Sequence, residues 1–406
     1  FFSMSSLSFI CLGFIFINFK TVYETMIKPH WLFFIFIAYL FMLTIGQYFA
    51  YSTYTFKELG FSLVWVAIPL FVYLYAKDIK KILPWYFFIF LLFDLLVSFI
   101  GPTSQIVGIS GNVNWHATFL IVLNAFSILF AFKSYEYVTK QVGKLLGSIL
   151  LLIVFGFCSV YSLYIMVICK CKATWISLFI TTLLIVYLES YKKSRKLFWI
   201  LVTVTIIIIA LAYGTEAILD NHTVEFSSSF LNQIQKDNQR IGNKISSNLS
   251  SDVRIPLWEG SLEMIKNYPS FGVSTARFES VYAGYRPIFY FLKLENAVRS
   301  NHPHNSELYI ASSYGIPGVV AWLILCALPL LLGFYYYYKL TPISKVVIFC
   351  YCILFIHSQL DLIFFEWPTL LYSAILLGII WKDTFSITEV KSKPLLTASR
   401  VDVSSA

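Results

Sequence analysis

Apolar runs of about 20 residues alternate with short polar connections along most of the chain, and one long polar break interrupts the pattern in its second half. A helix needs about 20 mostly apolar residues to cross the hydrocarbon core of a bilayer. On that measure the pattern predicts spans at roughly 3–19, 31–50, 61–76, 85–101, 115–132, 145–168, 173–189, 198–213, 307–335, 346–363 and 367–381. The expected fold is therefore an all-α polytopic integral membrane protein with about 11–12 transmembrane helices and one large external loop that carries short helices. Four regions follow: an N-terminal bundle over 1–213, the long loop over 214–306, C-terminal spans over 307–381 and a tail over 382–406.

The long loop is not uniform. Asn232 to Ser251 is rich in Ser and Asn, the composition of a linker or lid. From Pro256 to Lys266, Leu257, Trp258, Leu262, Met264 and Ile265 give an amphipathic pattern that Pro269 and Gly272 close. This predicts a short helix lying on the membrane surface, with Arg254 just ahead of its start.

Charge orients the spans. Alternate short connections and the tail, all assigned to one side, hold 18 Lys and Arg residues, whereas the short loops of the other side hold 3. Cytoplasmic loops carry the excess of positive charge and long loops do not count in this rule. The tail is thus expected in the cytoplasm and the 214–306 loop outside it. An odd number of spans then puts the N-terminus outside, or a first span precedes Phe1, since the chain begins without Met.

Composition agrees: 58% hydrophobic, 13% charged and a net charge of +9 exclude a water-soluble enzyme and a disordered chain. The positive charge is read as topology, not as nucleic-acid binding. Cys11, Cys158, Cys326, Cys350 and Cys352 lie in apolar runs, where Cys packs as a small hydrophobe. Cys169 and Cys171 form a Cys-x-Cys pair with neither His nor further Cys nearby, so no metal site is expected. Neither an Asp-x-Asp pair nor a nucleotide-binding Gly-x-x-x-x-Gly-Lys loop occurs.

Where the long loop re-enters the membrane the chain reads HPHNSELYIASSYGIPG: His304-Asn305, nine residues, Gly315, two residues, Gly318. It resembles the signature of bacterial O-antigen ligases at every fixed position. Upstream, Arg254, Trp258, Pro269 and Gly272 are similar to a second block of that family, an Arg followed by a Trp-containing helix and a Pro-x-x-Gly turn. GNVNWHATFL at 111–120 resembles its Gly-Asn-x-Asn element, and CKCKATWISLF at 169–179 its Ser-Arg-Gly-Ala-Trp block. There Lys172 stands where an Arg is usual, which keeps the charge and loses the planar fork.

The resemblance implies a glycosyltransferase in the bacterial inner membrane, with its active site on the periplasmic side. It would move a glycan from undecaprenyl diphosphate to a sugar of the lipid A core. The diphosphate departs as an anion, so cations must hold its growing charge, and the acceptor hydroxyl must lose a proton. On this reading His304 takes that proton, Arg254 is the main diphosphate clamp and Lys172 its partner. Asn305, His302 and Arg286 are further binding candidates, with Arg277 and Arg299 beside them. Gly315 and Gly318 would let another helix or a lipid tail approach closely. The partners implied are the lipid-linked donor, the lipid A-core acceptor and membrane lipids, with no nucleic acid and no cofactor, metal or ATP. Three alternatives stay open: a Wzy-type polymerase, a protein O-oligosaccharyltransferase and, more remotely, a lipid-linked oligosaccharide transporter.

Overall fold

A computed structural model describes residues 4–27, 30–50, 59–60, 63–100, 113–169, 171–196, 198–200, 203, 254–285, 302–365 and 369–397. Most of the expected 198–213 span, the Asn232–Ser251 stretch, Gly111, Asn112, Arg286 and Arg299 lie outside the described residues. The elements are α1 (Met4–Ile17), α2 (Trp31–Ala50), α3 (Val64–Ile100), α4 (Val113–Val142), α5 (Lys144–Cys169) and α6 (Lys172–Lys193). They continue with α7 (Arg254–Asn267), α8 (Phe278–Tyr282), α9 (Ser306–Tyr335), α10 (Pro342–His357) and α11 (Thr369–Thr397). No strand occurs among the described residues, and the protein is an all-α membrane protein.

Among the described residues four stretches are long and apolar enough to cross a membrane: Phe33–Ala50, Lys172–Lys193, Ser306–Tyr335 and Thr369–Ile387. Shorter apolar helices accompany them at Ser6–Ile17, Asn114–Phe130 and Pro342–His357. Their surfaces invert the soluble pattern. Phe14, Ile35, Phe49, Phe93, Phe179 and Leu331 are exposed, while Asp94, His116, Thr118, Thr174 and His357 are wholly buried. Apolar surface faces outward where the solvent is lipid, and polar groups turn inward to find partners.

The helical run of α3 covers both expected spans at 61–76 and 85–101 together with the connection between them. Its contacts show that it doubles back along α11. Pro69 and Val72 press on Gly378 and the Tyr73 ring meets Lys382, so the two helices first run in the same direction. Lys80 pairs with Asp383 at 2.5 Å, and then Phe87 returns to Tyr372 with ring centroids 5.8 Å apart. A straight helix carries Phe87 on past Asp383 at 1.5 Å per residue, away from Tyr372. The reversal falls at the charged segment from Lys77 to Lys81, just before Pro84.

This gives the bundle one cationic end. There Lys345 meets Glu189 at 3.8 Å, Lys192 lies over the Tyr338 ring and Lys80 pairs with Asp383. Thr341 caps α10 and Pro342 takes its first turn, where a missing N–H costs nothing. Several boundaries differ from the sequence pattern, and α4 runs on past 132 to Val142. Helix α10 stops at His357, so the run expected to 363 ends in a polar turn, and α11 continues past 381 to Thr397.

At the opposite end α7 packs on α8 and α9 through Leu257, Met264, Val273, Phe278 and Tyr282. Leu257, Gly260, Ser261 and Met264 form the buried face, whereas Leu262 is exposed. Arg254 is the first residue of this helix.

The two sequence blocks that carry the resemblance meet here. Gly315 (φ 77°, ψ −179°) breaks α9, and Pro317 has no N–H to offer the Ser313 carbonyl. The Ile316 N–H turns to the Pro269 carbonyl at 2.7 Å, which frees the carbonyl of Ser312 as well. Val273 and Ser274 donate to those two carbonyls at 2.8 and 2.9 Å. Gln47 Nε2 of α2 also donates to the Ser313 carbonyl, at 2.7 Å. Both glycines are required by this approach: a Cβ on Gly272 would lie 2.3 Å from Ser313 C, and one on Gly315 would lie 2.6 Å from Ser270 C. The neighbour that Gly315 admits is thus the Pro269–Phe271 backbone, not the second helix or lipid tail expected from its spacing. At Gly318, a Cβ would meet the Tyr314 side chain of its own helix, with Leu43 of α2 just beyond.

Candidate active site

The loop ahead of α9 is fixed at several points. Asn305 caps the helix, its side-chain oxygen accepting from the Leu308 N–H at 2.8 Å, and its amide donates to the Gln359 carbonyl at 2.9 Å. The Ser306 N–H donates to the Ser358 carbonyl at 2.9 Å, and Trp258 of α7 donates its indole N–H to the Pro303 carbonyl at 3.0 Å. The Asn305, Trp258 and His304 positions named by the sequence pattern therefore converge on one loop.

His304 sits in the left-handed region at φ 51°, which non-glycine residues rarely occupy and which clusters at functional sites. Its N–H donates to His302 Nδ1 at 3.2 Å, and the two rings meet edge to face at 4.3 Å. Its own ring Nδ1 lies 2.9 Å from Asp361 Oδ1. A carboxylate only accepts, so Nδ1 carries the hydrogen and Nε2 is the basic nitrogen. The His304 side chain is 36% exposed and that of Asp361 only 3%, an arrangement with the base at the surface and its partner beneath.

Asp361 was passed over by the sequence reading because it falls at the edge of an apolar run. In the structure it lies in the turn after α10. It accepts from the Leu362 N–H at 2.8 Å and from the Asn114 amide at 3.3 Å, besides facing His304. Burial pushes its carboxyl up, yet the hydrogen bond and charge of His304, aided by His357 and the Leu362 N–H, outweigh this and hold it at about 2. His302 moves the other way, down to about 4, through burial first and the neighbouring His304 charge second.

Helices α4 and α6 complete the floor. Thr118 Oγ1 lies 2.9 Å from Thr174 Oγ1 and also hydrogen-bonds His357 Nδ1, while Thr174 donates to Cys171 Sγ at 3.0 Å. Arg254 is half-buried and within electrostatic reach of His357 and Cys171, which places it over the same floor. Lys172 starts α6 beside Cys171 with its side chain exposed. Arg277 is exposed on the short turn Thr275–Arg277. Among the described residues no group of three or more His, Cys, Asp or Glu side chains is arranged to hold a metal ion.

A second polar cluster lies deeper, where His116 Nε2 meets Asp94 Oδ2 at 2.7 Å and the Tyr161 hydroxyl donates to the same oxygen at 3.4 Å. Asp94 is an acid within the apolar run 85–101, and its partner His116 lies on the next helix, α4.

Taken together, the site offers a His–Asp pair whose carboxylate is buried, an Arg within electrostatic reach of the floor and a helix start at α6. That is a place where a hydroxyl can lose a proton while an anion is held nearby. No curated protein matches the chain. A family model described as O-antigen ligase matches residues 157–323, from α5 through the loop and motif to the middle of α9. That stretch, with its two glycine-bearing blocks interlocked beside His304, is where the chain is similar to the O-antigen ligase family.

Proposed function

We propose that the protein is an O-antigen ligase that transfers a glycan from undecaprenyl diphosphate to a sugar hydroxyl of the lipid A core, on the periplasmic face of the inner membrane. The observation that carries this reading is the His304–Asp361 pair, 2.9 Å apart, at the end of the bundle opposite the cationic end, with Arg254 within electrostatic reach of His357. Asp361 holds Nδ1–H, which leaves His304 Nε2 to take the acceptor hydroxyl's proton as that oxygen attacks the anomeric carbon. The bond from the anomeric carbon to the diphosphate oxygen breaks and its electron pair leaves with the diphosphate. Arg254 meets the departing charge with charge-assisted hydrogen bonds, with Lys172 at the α6 start as its partner. Asn305 and Arg286 remain further binding candidates in this reading. The diphosphate supplies the activation, so the transfer proceeds without ATP or a metal ion.

The test is transfer of lipid-linked glycan to purified lipid A-core by the reconstituted protein, without ATP or divalent metal. General acid–base groups contribute roughly 10²–10⁴-fold. His304→Ala is expected to lower transfer by that much and Asp361→Asn by about 10²-fold, with Arg254→Ala lowering it as well. Full activity in His304→Ala overturns the mechanism. No transfer to lipid A-core, with extension of a lipid-linked repeat instead, replaces the ligase reading with a polymerase one.

A further inference from the structure

The Gly-Asn-x-Asn element at the start of α4 has no role in the mechanism so far, yet its second Asn touches the site. Helix α4 is joined to the end of α10 and the turn after it by two side-chain rungs. Asn114 Nδ2 donates to Asp361 Oδ2 at 3.3 Å, and Thr118 Oγ1 hydrogen-bonds His357 Nδ1. The numbers rise by four on α4 as they fall by four on the other strand of the ladder, the spacing of one helical face in antiparallel register. Two residues beyond Asn114, His116 is bound to Asp94 of α3, both fully buried, which fixes the rotation of α4 about its axis.

We infer that Asn114 is a positioning residue: it occupies one oxygen of Asp361 so that the other is presented to His304 Nδ1. This rests on the proposed role of His304 as the proton acceptor. The groups facing Asp361 are His304 and His302 from the loop, His357 from α10, the Leu362 N–H, Asn114 from α4 and, at longer range, Cys171 just ahead of α6; Arg254 of α7 acts on His357 and Cys171. Besides His304 Nδ1–H, Asn114 and the Leu362 N–H are the donors bonded directly to the carboxylate among the described residues. Losing the Asn114 donor leaves the carboxylate's charge less satisfied and more available to His304. Protonated His304 is then favoured, and the base is taken out of action at higher pH than before.

Asn114→Ala in the full-length reconstituted protein is expected to lower kcat about tenfold at unchanged KM for the lipid-linked donor, because the base is misaimed and not the substrate. It is also expected to move the acidic limb of the rate–pH profile upward by roughly half a pH unit or more. Asn114→Gln keeps a donor displaced by one methylene and should fall between the two. An unmoved acidic limb in Asn114→Ala, whatever happens to kcat, overturns the positioning role. If that variant is not recovered folded, the limb of Asn114→Gln decides in the same way. His304→Ala run alongside separates the two readings: activity surviving there removes the role of His304 itself, whereas an inactive His304→Ala with a wild-type limb in the Asn114 variants removes only the role of Asn114.

Discussion

His302 has a directional pH consequence. Its ordinary value is 6.5 and burial beside the charged His304 holds it near 4 in the fold. Between those values the unfolded chain binds the proton and the folded chain does not, so stability falls as pH drops through that window and its contribution is lost entirely below about 4. Asp361, lowered from 3.8 to about 2, acts in the same sense further down, between those two values. Thermal midpoints of detergent-solubilised protein are expected to decline from pH 6.5 toward 4, and His302→Gln to decline less steeply. An equally steep decline in the variant would show that His302 is not the group responsible. His302 was read from the sequence as a substrate contact; its Nδ1 is instead occupied by the His304 backbone, a role that no side-chain pattern announces.

The two broken elements at the mouth of the site depend on each other. The break at Gly315 leaves the Ser312 and Ser313 carbonyls of α9 without helical partners, and the Pro269–Ser274 turn supplies the donors. Gly315→Ala meets two penalties: a left-handed backbone, which costs an L-residue roughly 1–2 kcal/mol, and a Cβ 2.6 Å from Ser270 C. Gly272→Ala meets the same pair of penalties, with its Cβ 2.3 Å from Ser313 C. Each is expected to lower stability by at least ~2 kcal/mol and to detach α7, with Arg254 and Trp258, from the histidine loop. A lowered thermal midpoint together with faster proteolysis near residue 270 checks this; wild-type values for both variants would mean that the turn and α9 are not interlocked. The sequence showed both glycines at their spacing. It did not show that they face each other, because φ and neighbouring backbone are properties of the packed chain.

The molecule has two chemically distinct ends. Lys80, Lys192, Lys345 and Lys382 gather at one of them, in contact with Asp383, Glu189 and the tyrosines Tyr73, Tyr337 and Tyr338. Arg254, His304 and Asp361 occupy the other. The positive-inside rule predicts that the first end is cytoplasmic. A single cysteine replacing exposed Lys192 should then react with an impermeant thiol reagent only after the membrane is opened, and one replacing exposed Lys266 of α7 should react in sealed spheroplasts. The reverse accessibility would turn the topology, and the periplasmic reaction, over.

The membrane class and most apolar helix positions were legible in the sequence, because hydropathy is a local property; charge and short spacing likewise gave an expected orientation and the His304 motif. Cys11, Cys326, Cys350 and Cys352, expected to pack as small hydrophobes, are indeed buried. The partners of the motif were not legible. Asp361 reaches His304 across 57 residues and Asn114 reaches Asp361 across 247, and neither separation has a signature, since each helix satisfies its own backbone whichever neighbour it meets. Which polar faces turn inward together is decided only when the helices pack, because a buried polar group must then find a partner on whatever helix lies against it.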